Sequence, residues 1–104
     1  MELKIYWTDF SKRELKKIFT YYKENANLKV ARNLILGIEK ETNILRIHPN
    51  IGQVEELLIG RKQKFHYLLF KNYKIIYWIN KDKKRIEISD VFDTRQNPIK
   101  MKKL

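Results

Sequence analysis

The stretch that most constrains this chain is Tyr73-Lys74-Ile75-Ile76-Tyr77-Trp78-Ile79, in which every residue but the lysine is β-branched or aromatic. Such a run fits a pleated, half-buried surface, and the turn-forming Lys71-Asn72 before it and Asn80-Lys81-Asp82 after it bound a strand. Alternation sends Tyr73, Ile75, Tyr77 and Ile79 to one face and Lys74, Ile76 and Trp78 to the other. Apolar side chains therefore fall on both faces, so either both are covered or one is left for a partner. Phe65 to Phe70 reads as the preceding strand of a hairpin, and Arg85 to Val91 as the following one beyond a charged loop at Lys81 to Lys84. In that last strand, Ile86, Ile88 and Asp90 are expected on one face and Glu87, Ser89 and Val91 on the other.

Upstream the period changes. Leu3, Ile5 and Trp7 alternate with Lys4 and Tyr6, a short strand for a sheet edge or for a place beside the later strands. Thr8 and Asp9 offer an N-cap and Ser11-Lys12-Arg13-Glu14 has capping-box spacing, so a helix begins between Thr8 and Ser11. Leu15, Ile18, Phe19 and Tyr22 give it one apolar stripe, with Lys12, Arg13, Lys16, Lys17 and Lys23 on a solvated opposite face. Asn25-Ala26-Asn27 turns the chain, and Asn27 caps a second helix whose stripe is Val30, Ala31, Leu34, Ile35, Ile38 and Leu45. Gly37 inside it either admits close approach of the first helix or is merely tolerated. This helix should end before His48-Pro49, where His48 serves as a C-terminal cap, and Asn50-Ile51-Gly52 continues the turn. Glu55-Glu56 followed by Leu57-Leu58-Ile59 is a loop or short helical turn closing the end of the core, and the closing Lys100 to Leu104 has no assignable periodicity.

The expectation is a single α+β domain over residues 1–104: an N-terminal strand, a two-helix antiparallel hairpin packed on one face of a mostly antiparallel sheet, and a three-stranded C-terminal meander. The formal charge of +11 is unevenly spread. Residues 1–59 are net +2 and residues 60–104 net +9, so the basic excess sits on the strand half and suggests a polyanionic partner, with a lysine-rich surface as the bland alternative. Without cysteine there is no disulfide framework or thiolate metal site, and two isolated histidines without clustered acids give no metal or cofactor site. No apolar run approaches the roughly 20 residues that cross a bilayer, and no signal-peptide pattern opens the chain, so a soluble cytoplasmic protein without membrane contact is expected.

Four pieces of the chain, taken together, resemble one family. They are Trp7-Thr8-Asp9-Phe10 leading into the helix with Leu15 and Ile18, Pro49-Asn50-Ile51-Gly52 after the second helix, Asn72-Tyr73-Lys74-Ile75-Ile76-Tyr77, and Asp90-Val91-Phe92-Asp93-Thr94-Arg95-Gln96-Asn97-Pro98. Their order and content resemble the RelE/ParE superfamily of toxins from type II toxin-antitoxin modules, and the last two look more like the ParE branch. The resemblance spans nearly the whole chain. It implies a small cytoplasmic toxin, associated with plasmid stabilisation and growth inhibition, that is neutralised by a cognate antitoxin wrapping it with an extended segment. Trp78, Ile76 and neighbouring lysines are then antitoxin-contact candidates, or else core.

Two chemistries follow from the resemblance. RelE-type members cleave mRNA on the ribosome and need a base, cations for the phosphorane charge and an acid for the leaving oxygen. The matching positions here are Lys74 and Arg95, with His66 as acid or base; the late aromatic or histidine of RelE-type chains has no counterpart after Phe92, and His66 stands where ParE-like chains commonly carry arginine. ParE-type members inhibit DNA gyrase by binding, which requires a surface and no catalytic set. On that reading Lys74, Trp78, Arg95, Lys100, Lys102 and Lys103 contact antitoxin or target. A third reading is a non-toxic, basic nucleic-acid-binding module.

Overall fold

A computed structural model of the chain describes residues 2–104, excluding the side chains of Lys102 and Lys103. Its elements are β1 (Lys4–Trp7), α1 (Asp9–Asn25), α2 (Leu28–Thr42), β2 (Gln53–Val54), β3 (His66–Phe70), β4 (Tyr73–Asn80) and β5 (Arg85–Asp93), with 3₁₀ turns at Asn43–Arg46, Glu56–Leu58 and Pro98–Lys103. They build one sheet in the order β1-β5-β4-β3-β2. The three long neighbours form the expected antiparallel meander, and β2 adds antiparallel to β3. β1 lies parallel to β5 at the far edge, joining the first strand to the last. The α+β architecture anticipated above is the one observed.

The hairpin's two caps are local hydrogen bonds. The Thr8 hydroxyl oxygen accepts from the Ser11 N–H at 3.1 Å, and the Asn27 side-chain oxygen accepts from the Val30 N–H at 2.9 Å, each satisfying a donor that the first turn leaves without an intrahelical partner. The second helix is shorter than its stripe suggested. It ends at Thr42, and the tighter 3₁₀ turn that follows carries Leu45 into the core; Val30, assigned to the same stripe, is exposed. Gly37 meets the sheet, not α1: a Cβ there would sit 2.5 Å from the Phe70 ring, so this glycine lets α2 lie down on β3.

Beneath the hairpin, Leu34, Ile38 and Leu45 pack with Tyr73, Ile75, Tyr77, Ile86, Ile88 and Val91, while Leu15, Ile18 and Tyr22 of α1 lean on the same cluster. Val91 belongs to this face because of a β-bulge. Ile76 pairs with Asp90 and Tyr77 with Ile88, which leaves Ser89 as an extra residue on β5. The extra residue inverts the side-chain phase beyond it, so Val91 turns to the hairpin and Asp90 away from it, the reverse of the simple alternation expected.

The second face of the sheet has a cover of its own. Leu58, Phe65, Ile76, Phe92 and Met101 form a separate buried cluster, with Tyr67, Trp78 and Leu104 against it. Ile76 is fully buried, so its place is in a core and not on a docking surface. The Glu56–Leu58 turn and the Pro98–Lys103 segment meet over this cluster, the latter too short to show a helical stripe yet able to bury Met101. Among the described residues, no helix is long and apolar enough to cross a membrane.

Candidate functional site

Lys74 projects from β4 onto the second face. Its ammonium lies 2.8 Å from Glu55 Oε2 and 4.3 Å from the centroid of the Tyr67 ring. Glu55 is 2 % exposed and is fixed by its neighbours: its backbone N–H donates to Phe65 O at 2.9 Å, and its other carboxylate oxygen accepts from the Leu57 N–H at 3.3 Å. The ion pair thus ties the Glu56–Leu58 turn to the middle of the sheet. Sequence reasoning missed Glu55 as Lys74's partner, because nothing in a Glu-Glu pair before an apolar triplet says which strand the loop folds onto.

Arg95 stands beyond the end of β5, on the hairpin side. Asp93 organises it: one carboxylate oxygen accepts from the Arg95 N–H, from its Nε and from the Asn72 side-chain amide, each at 3.0 Å, and the other accepts from Nη2 at 2.8 Å. The Thr94 N–H and hydroxyl both donate to Asn72 O at 2.8 Å. Asn72 and Asp93-Thr94-Arg95, far apart in the chain, are therefore one interlocked structure. The Arg95 hydrogen bonds outweigh the effect of burial and hold the Asp93 carboxyl down at about 2, while Asp93 raises the Arg95 guanidinium above its ordinary range. The Arg95 side chain stays 62 % exposed, at the rim of a cleft of about 380 Å³ shared with Glu14, Lys17 and Tyr21 of α1 and with Tyr73. Burial, reinforced by the Tyr22 hydroxyl at 3.5 Å, pushes the Tyr73 phenol up.

His66 opens β3 opposite Tyr77, with ring centroids 5.8 Å apart, and its Nδ1 is 3.1 Å from Lys64 O. The Tyr77 hydroxyl donates to Pro49 O at 2.8 Å and accepts from the Gly52 N–H at 3.0 Å, and burial raises its phenol. Gly52 has no room for a side chain, since a Cβ would lie 2.8 Å from Tyr67 O. The Pro49 to Gly52 motif is thus the loop that the central strand's tyrosine anchors. Exposed His48 does not cap the second helix as expected: α2 ends earlier with Asn43 as its cap, Ile47 caps the 3₁₀ turn, and the His48 backbone N–H donates to Ile44 O at 2.9 Å.

The structure does not gather His66, Lys74 and Arg95 into one site. Lys74 is on the second face, while His66 and Arg95 are on the hairpin side, His66 opposite Tyr77 and Arg95 beyond the β5 end that pairs with Tyr73. Trp78 is partly buried at the margin of the second face, Lys100 is exposed on the Pro98–Lys103 segment, and the side chains of Lys102 and Lys103 lie outside the described residues. Among the described residues, no group of three His, Cys, Asp or Glu side chains could hold a metal ion.

A family profile described as the ParE toxin of the type II toxin-antitoxin system, parDE, matches residues 5–98. The chain belongs to the ParE toxin family. All four sequence pieces that suggested it lie within the match. Among solved structures, the chain is similar to one titled "Chromosomal ParDE TA system from P. aeruginosa", with a TM-score of 0.71 and 15% identity over 88% of this chain and 96% of that one, a likeness of fold. No curated protein sequence matches the chain.

Proposed function

We propose that this chain is the toxin of a two-component module, neutralised by a cognate antitoxin, and that it acts by occupying a macromolecular target such as DNA gyrase. The observation that carries this reading is the separation of the cationic and acid-base candidates. RNA cleavage needs them converging on one phosphate, whereas here the Lys74 charge is turned inward onto Glu55 and the Arg95 charge outward over a surface cleft. Binding makes no such demand. Asp93 fixes the Arg95 guanidinium through Nε and Nη2 while the side chain stays largely exposed, which limits the conformational freedom lost on docking, and Lys100 adds charge that speeds encounter with an acidic target.

A supercoiling assay with purified gyrase tests the reading. Inhibition is expected, and Arg95→Ala should weaken it about tenfold, the scale of one lost charge-assisted contact, while His66→Ala leaves it in place. Codon-positioned mRNA cleavage in a translating extract, abolished by His66→Ala, would overturn the proposal in favour of a RelE-like nuclease. Induced expression should slow growth, and co-expression of a short acidic reading frame abutting this one should restore it.

A further inference from the structure

β4 is longer than the strand beside it. His66, the first residue of β3, pairs with Tyr77, so Trp78, Ile79 and Asn80 have β5 on one side and no strand on the other. The result is a notch of about 710 Å³ at the corner of the sheet, bordered by the segment entering β3 and by the β4–β5 turn. Four of its lining residues are exposed lysines, Lys62 and Lys64 from the first and Lys81 and Lys83 from the second, against one acid, Asp82. None of the four lies within ion-pair distance of a carboxylate among the described residues.

The nearest acid on the neighbouring strand, Glu87, feels the charge of Lys83 but is hydrogen-bonded to other partners. Glu87, which pairs with Trp78, accepts hydrogen bonds from Asn80 at 3.0 Å and from Arg85 at 2.8 Å through the same oxygen. The turn itself is built: the Lys83 N–H donates to the Asn80 side chain at 3.1 Å and the Lys84 N–H to Lys81 O at 3.2 Å. Lys81 and Lys83 are therefore held on a formed loop, with the partly buried Trp78 lining the same recess.

We propose that this notch binds a single strand of nucleic acid, with Lys62, Lys64, Lys81 and Lys83 on the backbone phosphates and a base stacked on Trp78. A recess bordered by lysines with an aromatic ring inside is the arrangement that tracks a flexible phosphodiester and uses the face every base possesses. An acidic peptide would satisfy the lysines and leave the ring without a partner. DNA and RNA strands should bind alike, because phosphates and base faces are common to both. The surface is apart from Arg95, so the proposal stands or falls independently of the gyrase reading.

The test uses the purified full chain and a short fluorescein-labelled single-stranded oligonucleotide, DNA or RNA, read by anisotropy across a salt series without gyrase. Four phosphate contacts predict a log–log salt slope near about −3 for a single strand, and replacing the four lysines by glutamine should remove most of that slope. Trp78→Ala should weaken single-strand binding by about 5- to 160-fold, the range that base–aromatic stacking supplies, with Trp78→Phe restoring it and circular dichroism confirming the fold. Replacing Lys12, Lys16, Lys23 and Lys29, which removes the same charge from the helical hairpin, should leave most of the affinity intact. An equal loss in that control would overturn the proposal by showing that net charge alone binds. So would a labelled poly-glutamate peptide or a duplex that binds as tightly as the single strand, or indifference to Trp78→Ala.

Discussion

The two faces of the sheet are covered in different ways. The hairpin side is closed by two capped helices whose stripes seat Leu34 and Ile38 over Ile75 and Ile88. The opposite side is closed by two 3₁₀ pieces, one carrying Leu58 and the other Met101, and by the Glu55–Lys74 ion pair. Helices of 17 and 15 residues bring many side chains to one interface and cannot adjust locally, whereas short turns contribute one anchor each and can move as units. The first face is the frame of the ParE fold. The second is covered by short pieces that an apolar cluster and one ion pair hold to the sheet.

Adjacent residues of β4 break this comparison most directly. Ile75 and Ile76 are both fully buried, one on each face. Ile75→Ala should cost about 4 kcal/mol, because the helices above it cannot collapse into the cavity, and Ile76→Ala only about 2 kcal/mol, because the 3₁₀ cover can settle. Urea unfolding of the two variants measures the difference, and equal losses would show that both covers are equally rigid.

The ion pair comes next in size, and its two halves are unequal. Lys74→Met leaves the nearly inaccessible Glu55 carboxylate without its cation and should cost about 3 kcal/mol. Glu55→Gln frees a lysine that is already 23 % exposed and reaches water, so about 1 kcal/mol is expected. Hydrogen exchange should show where the loss falls, with faster exchange confined to the Glu56–Leu58 turn and the C-terminal segment in both variants.

The smallest effect concerns the Arg95 corner, on the other side of the sheet. The Asp93 carboxyl is lowered from its usual 3.8 to about 2 in the folded chain, so its contribution is complete above pH 4 and is lost as pH falls through 2. Asp93→Asn should flatten that part of the acid-denaturation curve while changing neutral-pH stability by less than about 1 kcal/mol.

Features with a repeat were legible in the sequence, and features set by a single residue were not. The hairpin, the Asn27 cap and the faces of β4 follow from a helical period, a side-chain acceptor three residues before its donor, and strict alternation. The sequence brackets the first helix's start only between Thr8 and Ser11, and the capping box expected at Ser11 is not formed, since Ser11 is the donor to the Thr8 cap. The bulge at Ser89 had no such mark: a serine inside an apolar strand can sit in register or out of it, and the choice inverted Asp90 and Val91. The two-residue β2 and the Pro98–Lys103 turn are shorter than any period. For the candidate residues, the sequence did not show their companions. Lys74 and Arg95 both stood out, but only the third dimension shows one turned onto Glu55 and the other steered by Asp93.

The parallel pairing of β1 with β5 also sets a schedule for synthesis. Lys4 lies opposite Arg85, so the first strand has no partner until about 80 further residues have been made, some 4 to 16 s at ordinary elongation rates. The helical hairpin can form in that interval, but the sheet it covers cannot close. A chain of the ParE toxin family is thereby kept from its finished shape until its last strand is translated.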